Sequence, residues 1–183
     1  MRVLGIDPGT VRMGYGVLDE EDDMSFVACG VLEARAKDPI ERRLLTLHRG
    51  VLGLLREYQP TAVAIEEPFV VLSPRNSAMA VGEARAIAML AAAERDIPIF
   101  QYNPSKVRQT VANYGASTKE QVRDMVALLL NRSLDGYRLD ACDALAVAIC
   151  HLRQARLGVI LGEQGVAADA GRRRTRGPRG KAQ

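Results

Sequence analysis

Met1-Arg2-Val3-Leu4-Gly5-Ile6-Asp7-Pro8-Gly9-Thr10 is a short apolar strand that runs directly into an aspartate and a turn. Two further acidic positions have similar surroundings. Glu66 ends the apolar run Val63-Ala64-Ile65-Glu66, and Asp140 and Asp143 open an apolar helical stretch. Strand ends are where open α/β sheets place their sites. Asp140 and Asp143, three apart on a helix, share a face. Each acid alone reads equally as a turn, cap or strand-end residue; brought to one end of the sheet they read as one cluster.

The pattern around these acids supplies the topology. Val3–Ile6, Tyr15–Leu18 and Phe26–Leu32 are read as three closely spaced strands, with Asp19–Asp23 as an acidic hairpin loop. Such short connections demand an antiparallel meander. Pro39–Tyr58 carries Ile40, Leu44, Leu47, Val51, Leu54 and Leu55 on one helical face, with Asp38-Pro39 as N-cap and first turn. Val63–Ile65 reads as a central strand covered on both sides. Pro68–Asn76 is a loop, Ser77–Glu94 an alanine-rich helix and Ile97–Gln101 the fifth strand. A helix follows from Asn103-Pro104 to about Ala112. Ser117-Thr118-Lys119-Glu120 reads as a capping box for a helix through Leu130. Leu139–Ala155 is the last long helix, with Ala141, Ala144, Ala146 and Ala148 suited to close packing on a sheet.

The expected fold is α/β, with a mixed five-stranded sheet flanked by helices. Crossover handedness lets the first and fourth strands lie together, with Asp7 and Glu66 at one end. Residues 1–158 form the expected domain, and 159–183 a basic, disordered tail. The length suffices for one domain with its own core. With 48% hydrophobic residues, folding requires no disulfide among Cys29, Cys142 and Cys150. Nothing resembles a signal peptide or a membrane span, so a cytoplasmic location is expected. The formal net charge of +3 is unevenly spread: the segment from Asp169 onward holds six basic residues and one acidic residue, leaving the body acidic. Overall charge is therefore a weak argument for nucleic acid. The tail suits either nonspecific phosphate attraction or solubility.

Four crowded carboxylates repel one another unless cations intervene. An all-oxygen donor set without neighbouring His or Cys pairs selects Mg²⁺, with Mn²⁺ as a substitute, over zinc. Two such ions suit phosphodiester hydrolysis. Glu66 is favoured over Glu67 because adjacent strand residues face opposite ways. Lys106, Arg108, Lys119 and Arg123 are expected along the phosphate route, with Arg75 and Arg85 as extensions. Lys119 stands out because a cation in a helix's first turn is disfavoured by the dipole. Phe69, beside the acids, suits either stacking on an unpaired base or capping the core. Tyr114 presents the same choice. His48 and His151 read as structural.

Leu4-Gly5-Ile6-Asp7-Pro8-Gly9-Thr10, Ala64-Ile65-Glu66-Glu67-Pro68-Phe69, Asn103-Pro104-Ser105 leading to Tyr114-Gly115, and Leu139-Asp140-Ala141-Cys142-Asp143-Ala144-Leu145-Ala146 together resemble the RuvC family of Holliday-junction resolvases. The resemblance spans about residues 1–158. It implies a ribonuclease-H-like fold and a homodimer that cuts opposing strands of four-way DNA junctions in recombination and repair. It also implies products with 5′-phosphate and 3′-hydroxyl ends, and work with a branch-migration complex of two other proteins. Its four metal-binding acids fall on Asp7, Glu66, Asp140 and Asp143; some members carry histidine at the position of Asp140. Its basic scissile-strand positions fall on Arg108, often lysine in the family, and Lys119, and its junction-probing aromatic on Phe69. The alanine-rich helix is expected either at the dimer interface or against the sheet. Competing readings are another ribonuclease-H-like nuclease, an ATP-binding module with a similar first phosphate loop, and a noncatalytic junction binder.

Overall fold

The protein is described by a computed structural model covering the backbone of residues 1–67 and 75–160 and the side chains of 1–67 and 79–159. The elements in chain order are β1 (Arg2–Asp7), β2 (Arg12–Glu20), β3 (Met24–Glu33), α1 (Ile40–Tyr58), β4 (Ala62–Glu66), α2 (Arg75–Ala93), β5 (Ile99–Tyr102), α3 (Pro104–Ala112), α4 (Lys119–Leu129) and α5 (Leu139–Ile160). Among the described residues they build a five-stranded sheet in the order β3-β2-β1-β4-β5. The meander β1–β2–β3 is antiparallel, and β4 and β5 add in parallel beside β1. This is the expected mixed sheet, with longer strands in the meander.

Strand alternation separates two cores. Leu4, Ile6, Val17, Val63 and Ile65 pack beneath α1 and α2. Val3, Leu18, Ala62 and Ala64 pack beneath α3, α4 and α5. In α2, Ala84, Ala88, Ala91 and Ala92 cover the sheet, while Met79 and Leu90 remain exposed. Helix α5 is buried almost continuously from Ala141 to Leu152. It lies between the sheet and α3 and α4, which explains its lack of a polar face through that stretch.

The approach of α5 depends on glycines in the sheet. A Cβ on Gly5 would stand 2.1 Å from the Ala144 carbonyl oxygen, and one on Gly14 would stand 1.9 Å from that of Asp140. A Cβ on Gly16 would meet Leu145 at 2.8 Å. Gly16 pairs with Gly5, and Gly14 with Asp7, across β1 and β2. The helix alanines supply half of this close packing. The strand glycines supply the other half and place the first turn of α5 over the end of β1.

Several local expectations change: α2 begins at Arg75 instead of Ser77, and β5 at Ile99 instead of Ile97. The N-cap of α1 is Pro39 rather than Asp38, with no side-chain cap hydrogen bond. At ψ 156° Pro39 is still extended, while its carbonyl already accepts from Arg43 N. The capping box lies one residue later than Ser117–Glu120. Thr118 Oγ1 accepts from Gln121 N, and Gln121 Oε1 accepts from Thr118 N at 2.9 Å. Glutamine closes this box as glutamate would, and Ser117 instead donates to the Tyr114 carbonyl. Finally, α5 continues past Ala155 to Ile160. Leu157 and Val159 are exposed there, so the hydrophobic pattern fades although the helix does not. The remaining tail, 161–183, lies outside the described residues.

Candidate active site

The parallel register of β1 and β4 pairs Ile6 with Ile65, so Asp7 and Glu66 leave adjacent strands at the same end. Strand alternation turns both toward the α5 face. Glu67 goes the other way, with its carboxylate 3.8 Å from Arg85 on α2. Asp140 and Asp143 enter from the first turn and a half of α5. Asp143 is mostly buried, whereas Asp140 lies nearer the rim, 3.4 Å from Arg12 Nε.

The electrostatics express this convergence. Burial, then the charges of Glu66, Asp143 and Asp140, hold the Asp7 carboxyl well above its usual range, with Lys119 partly opposing. Burial and Asp143 push Glu66 up to about 7, against the pull of Lys119 and Arg108. Burial also raises Asp143, despite the hydrogen bond from Lys119. Burial disfavours the Lys119 ammonium. Its bond to Asp143 and the charges of Asp143, Asp7 and Glu66 outweigh that effect and raise its pKa. Lys119 is the first residue of α4, and Asp143 offsets its unfavourable place in the helix dipole.

A small open cleft of about 60 Å³ lies between β4 and the helices. Glu66, Asp143, Arg108, Lys119 and Ser117 supply its polar lining. Arg108 is anchored by its Nε, which donates to the Gly115 carbonyl at 2.7 Å. A Cβ on Gly115 would approach Ser105 Oγ at 2.9 Å, so the loop after α3 folds tightly onto the helix start. Tyr114 is exposed on that loop.

The other basic residues are not gathered there. Lys106 is exposed on α3 and does not line the cleft. Arg123 is also outside that lining and pairs with its neighbour Asp124. Lys106 and Arg108, two residues apart, lie about 200° apart around α3, so only one of them faces the cleft. Arg85 reaches Gln101 and Glu67. Phe69 and the side chain of Arg75 lie outside the described residues. His151 is buried against Phe100, with Nδ1 2.8 Å from the Tyr102 hydroxyl, and burial lowers its pKa to about 4. It is a core group.

The donor set fits a hard divalent cation: the four acids present oxygen only, and burial disfavours the ionised forms of Asp7 and Glu66, a cost that a divalent cation would offset. Among the described residues, no group of three or more His, Cys, Asp or Glu side chains is already closed around a metal position. Lys119 instead holds Asp143, and Arg12 stands beside Asp140. Arg12 was not legible as a site residue. It opens β2, and only the tertiary approach of α5 brings it to Asp140.

Residues 3–151 match the protein family described as Crossover junction endodeoxyribonuclease RuvC. A protein of that description from Dehalococcoides mccartyi is 43% identical over 155 residues, covering 84% of this chain and 92% of the relative. One from a Roseiflexus species is 44% identical over 151 residues, covering 82% and 89%. The solved structure of Thermus thermophilus RuvC in complex with Holliday junction substrate superposes with a TM-score of 0.80. It has 33% identity and covers 86% of this chain and 96% of the other. The sheet order and flanking helices are thus those of the ribonuclease-H-like fold, and the chain belongs to the RuvC family of crossover junction endodeoxyribonucleases.

Proposed function

We propose that this chain is a divalent-metal-dependent endonuclease that resolves four-way DNA junctions by paired, symmetric phosphodiester hydrolysis in recombination and repair. The observation that carries this reading is the convergence of Asp7, Glu66 and Asp143 at one end of the central strands, with all three carboxyls raised first by burial. The similar Thermus thermophilus protein, solved with a Holliday junction substrate, supplies the substrate class.

Asp7, Glu66, Asp140 and Asp143 would hold two Mg²⁺ ions, or Mn²⁺ in their place. When bound, the ions supply water activation and charge stabilisation at the leaving 3′ oxygen. The protein's own part is placement. Glu66 and Asp7 leave rigid neighbouring strands, and Asp143 is fixed by α5 against the glycines of the sheet. Lys119, now on Asp143, supplies a cation that can move to the strained phosphate. Arg108, pinned to Gly115 in the same cleft, would orient the scissile strand. The products would carry 5′-phosphate and 3′-hydroxyl ends.

Two equivalent cuts on a two-fold junction require two equivalent sites, hence a homodimer. The outward apolar residues Met79 and Leu90 of α2 support that helix as the contact. Phe69 would probe the junction centre, with Lys106 and Arg123 contributing only diffuse attraction. The enzyme would act in the cytoplasm with a branch-migration complex of two other proteins. Among the described residues, no helix is long and apolar enough to cross a membrane.

End-labelled nick mapping on a symmetric junction tests the reading. Symmetric ligatable nicks are expected in Mg²⁺ and none in EDTA. Equal cutting of linear duplex or an RNA–DNA hybrid would remove the junction claim, and normal binding without nicks would remove the nuclease claim.

A further inference from the structure

The entrance to the acid cluster carries a charge network that links the first turn of α5 to the sheet. Arg12, the first residue of β2, pairs in register with Glu33, the last residue of β3. Glu33 forms an ion pair with Arg138, just before α5. Arg12 in turn places its Nε 3.4 Å from Asp140 Oδ2. The backbone fixes both ends of this second pair. Gly14 brings Asp140 onto β2, and Ala34 N donates to the Val11 carbonyl at 2.9 Å beside Arg12. Arg12 is about half exposed, so its guanidinium can leave without opening the core.

We propose that Arg12 is a positioning residue for Asp140 and its built-in counter-ion: it orients that carboxylate before a divalent cation arrives and competes with the cation for it. This rests on the metal-dependent reading above. Asp143 already has a cation, Lys119, whose ammonium is tied into the acid cluster. Asp140 has Arg12. The two divide the work: Lys119 faces the cleft, while Arg12 controls the acid at the rim. Arginine suits this role because its planar guanidinium can lie along the Asp140 carboxylate through Nε while the rest stays exposed. An exposed pair of this kind is weak, so the cation can displace it.

The test is calorimetric Mn²⁺ titration of the full-length protein without DNA, with a melting curve for each variant to confirm folding. Arg12→Gln should tighten Mn²⁺ binding by about two- to five-fold, the range of an exposed ion pair. Arg12→Lys should return most of the way to wild type. Arg35→Gln, an exposed arginine beyond the end of β3, serves as the general charge control and should shift affinity less. In an Asp140→Asn background, Arg12→Gln should have no further effect. Unchanged affinity in Arg12→Gln, a shift matched by Arg35→Gln, or the same shift without Asp140 overturns the role of Arg12. Those outcomes leave the metal site standing if Asp140→Asn still weakens Mn²⁺ binding. Absence of Mn²⁺ binding by the wild type overturns both readings together.

Discussion

At the residue scale, Glu66 has the most direct consequence for stability. Burial, then Asp143, moves its carboxyl from 4.5 to about 7 in the folded chain. Between those values the folded state binds more protons than the unfolded chain, so stability falls as pH rises through that window. In EDTA, Glu66→Gln should therefore flatten the decline in melting temperature between about pH 5 and 7. It should also stabilise the protein at pH 8 by up to about 3 kcal/mol, while abolishing cleavage. Unaltered pH dependence would show that Glu66 is not held in this strained state. For Lys119 the separation runs the other way. Lys119→Ala removes a partly exposed ion pair, so its stability cost should stay within about 1 kcal/mol. Single-turnover nicking should slow by at least tenfold, and an unaltered rate would exclude Lys119 from the reaction.

At the element scale, the seat of α5 decides the site. In Gly5→Ala the new methyl would meet the Ala144 carbonyl backbone at 2.1 Å, where no flexible side chain can yield. The expected cost is about 3 kcal/mol or more, measured by urea unfolding, with loss of cleavage because Asp143 moves with the helix. Gly53 offers the contrast. It lies inside α1, and a Cβ there would meet nothing within 4 Å. Gly53→Ala should stabilise the chain by about 0.5–1 kcal/mol and leave cleavage unchanged. If both substitutions had the same sign, close helix–sheet approach would not be the controlling feature. The Thr118–Gln121 box belongs to this scale too, because it fixes the start of α4 and thereby the reach of Lys119.

At the scale of the whole molecule, an acidic body faces a polyanionic substrate, so positive charge is concentrated locally. Arg108 and Lys119 line the cleft, and the segment from Asp169 onward carries the largest basic excess. Deleting residues 169–183 should leave the melting temperature and cleavage positions unchanged. It should weaken junction binding and flatten its dependence on salt, since fewer phosphate contacts release fewer counterions. An identical salt slope would assign the tail no part in binding.

Much of this architecture was legible along the chain. The apolar runs, the close spacing of the first three strands and the crossover helices dictated a mixed sheet. Strand alternation separated Glu66 from Glu67. Asp7, Glu66, Asp140 and Asp143 were legible because each sits at the end of an element, a position that periodicity reveals. Cap positions were less determined: Ser117 and Thr118 offer similar chemistry, and backbone angles one residue apart choose between them. The sequence by itself therefore determined the elements, their order and the acids at their ends, through short-range propensity and periodic burial. Only the tertiary structure decided which cations face those acids and that Arg108 and Lys119 line one cleft. It also showed that Gly5, Gly14 and Gly16 admit α5. These are relations between segments far apart in the chain, fixed by sheet register and helix approach rather than by any local pattern.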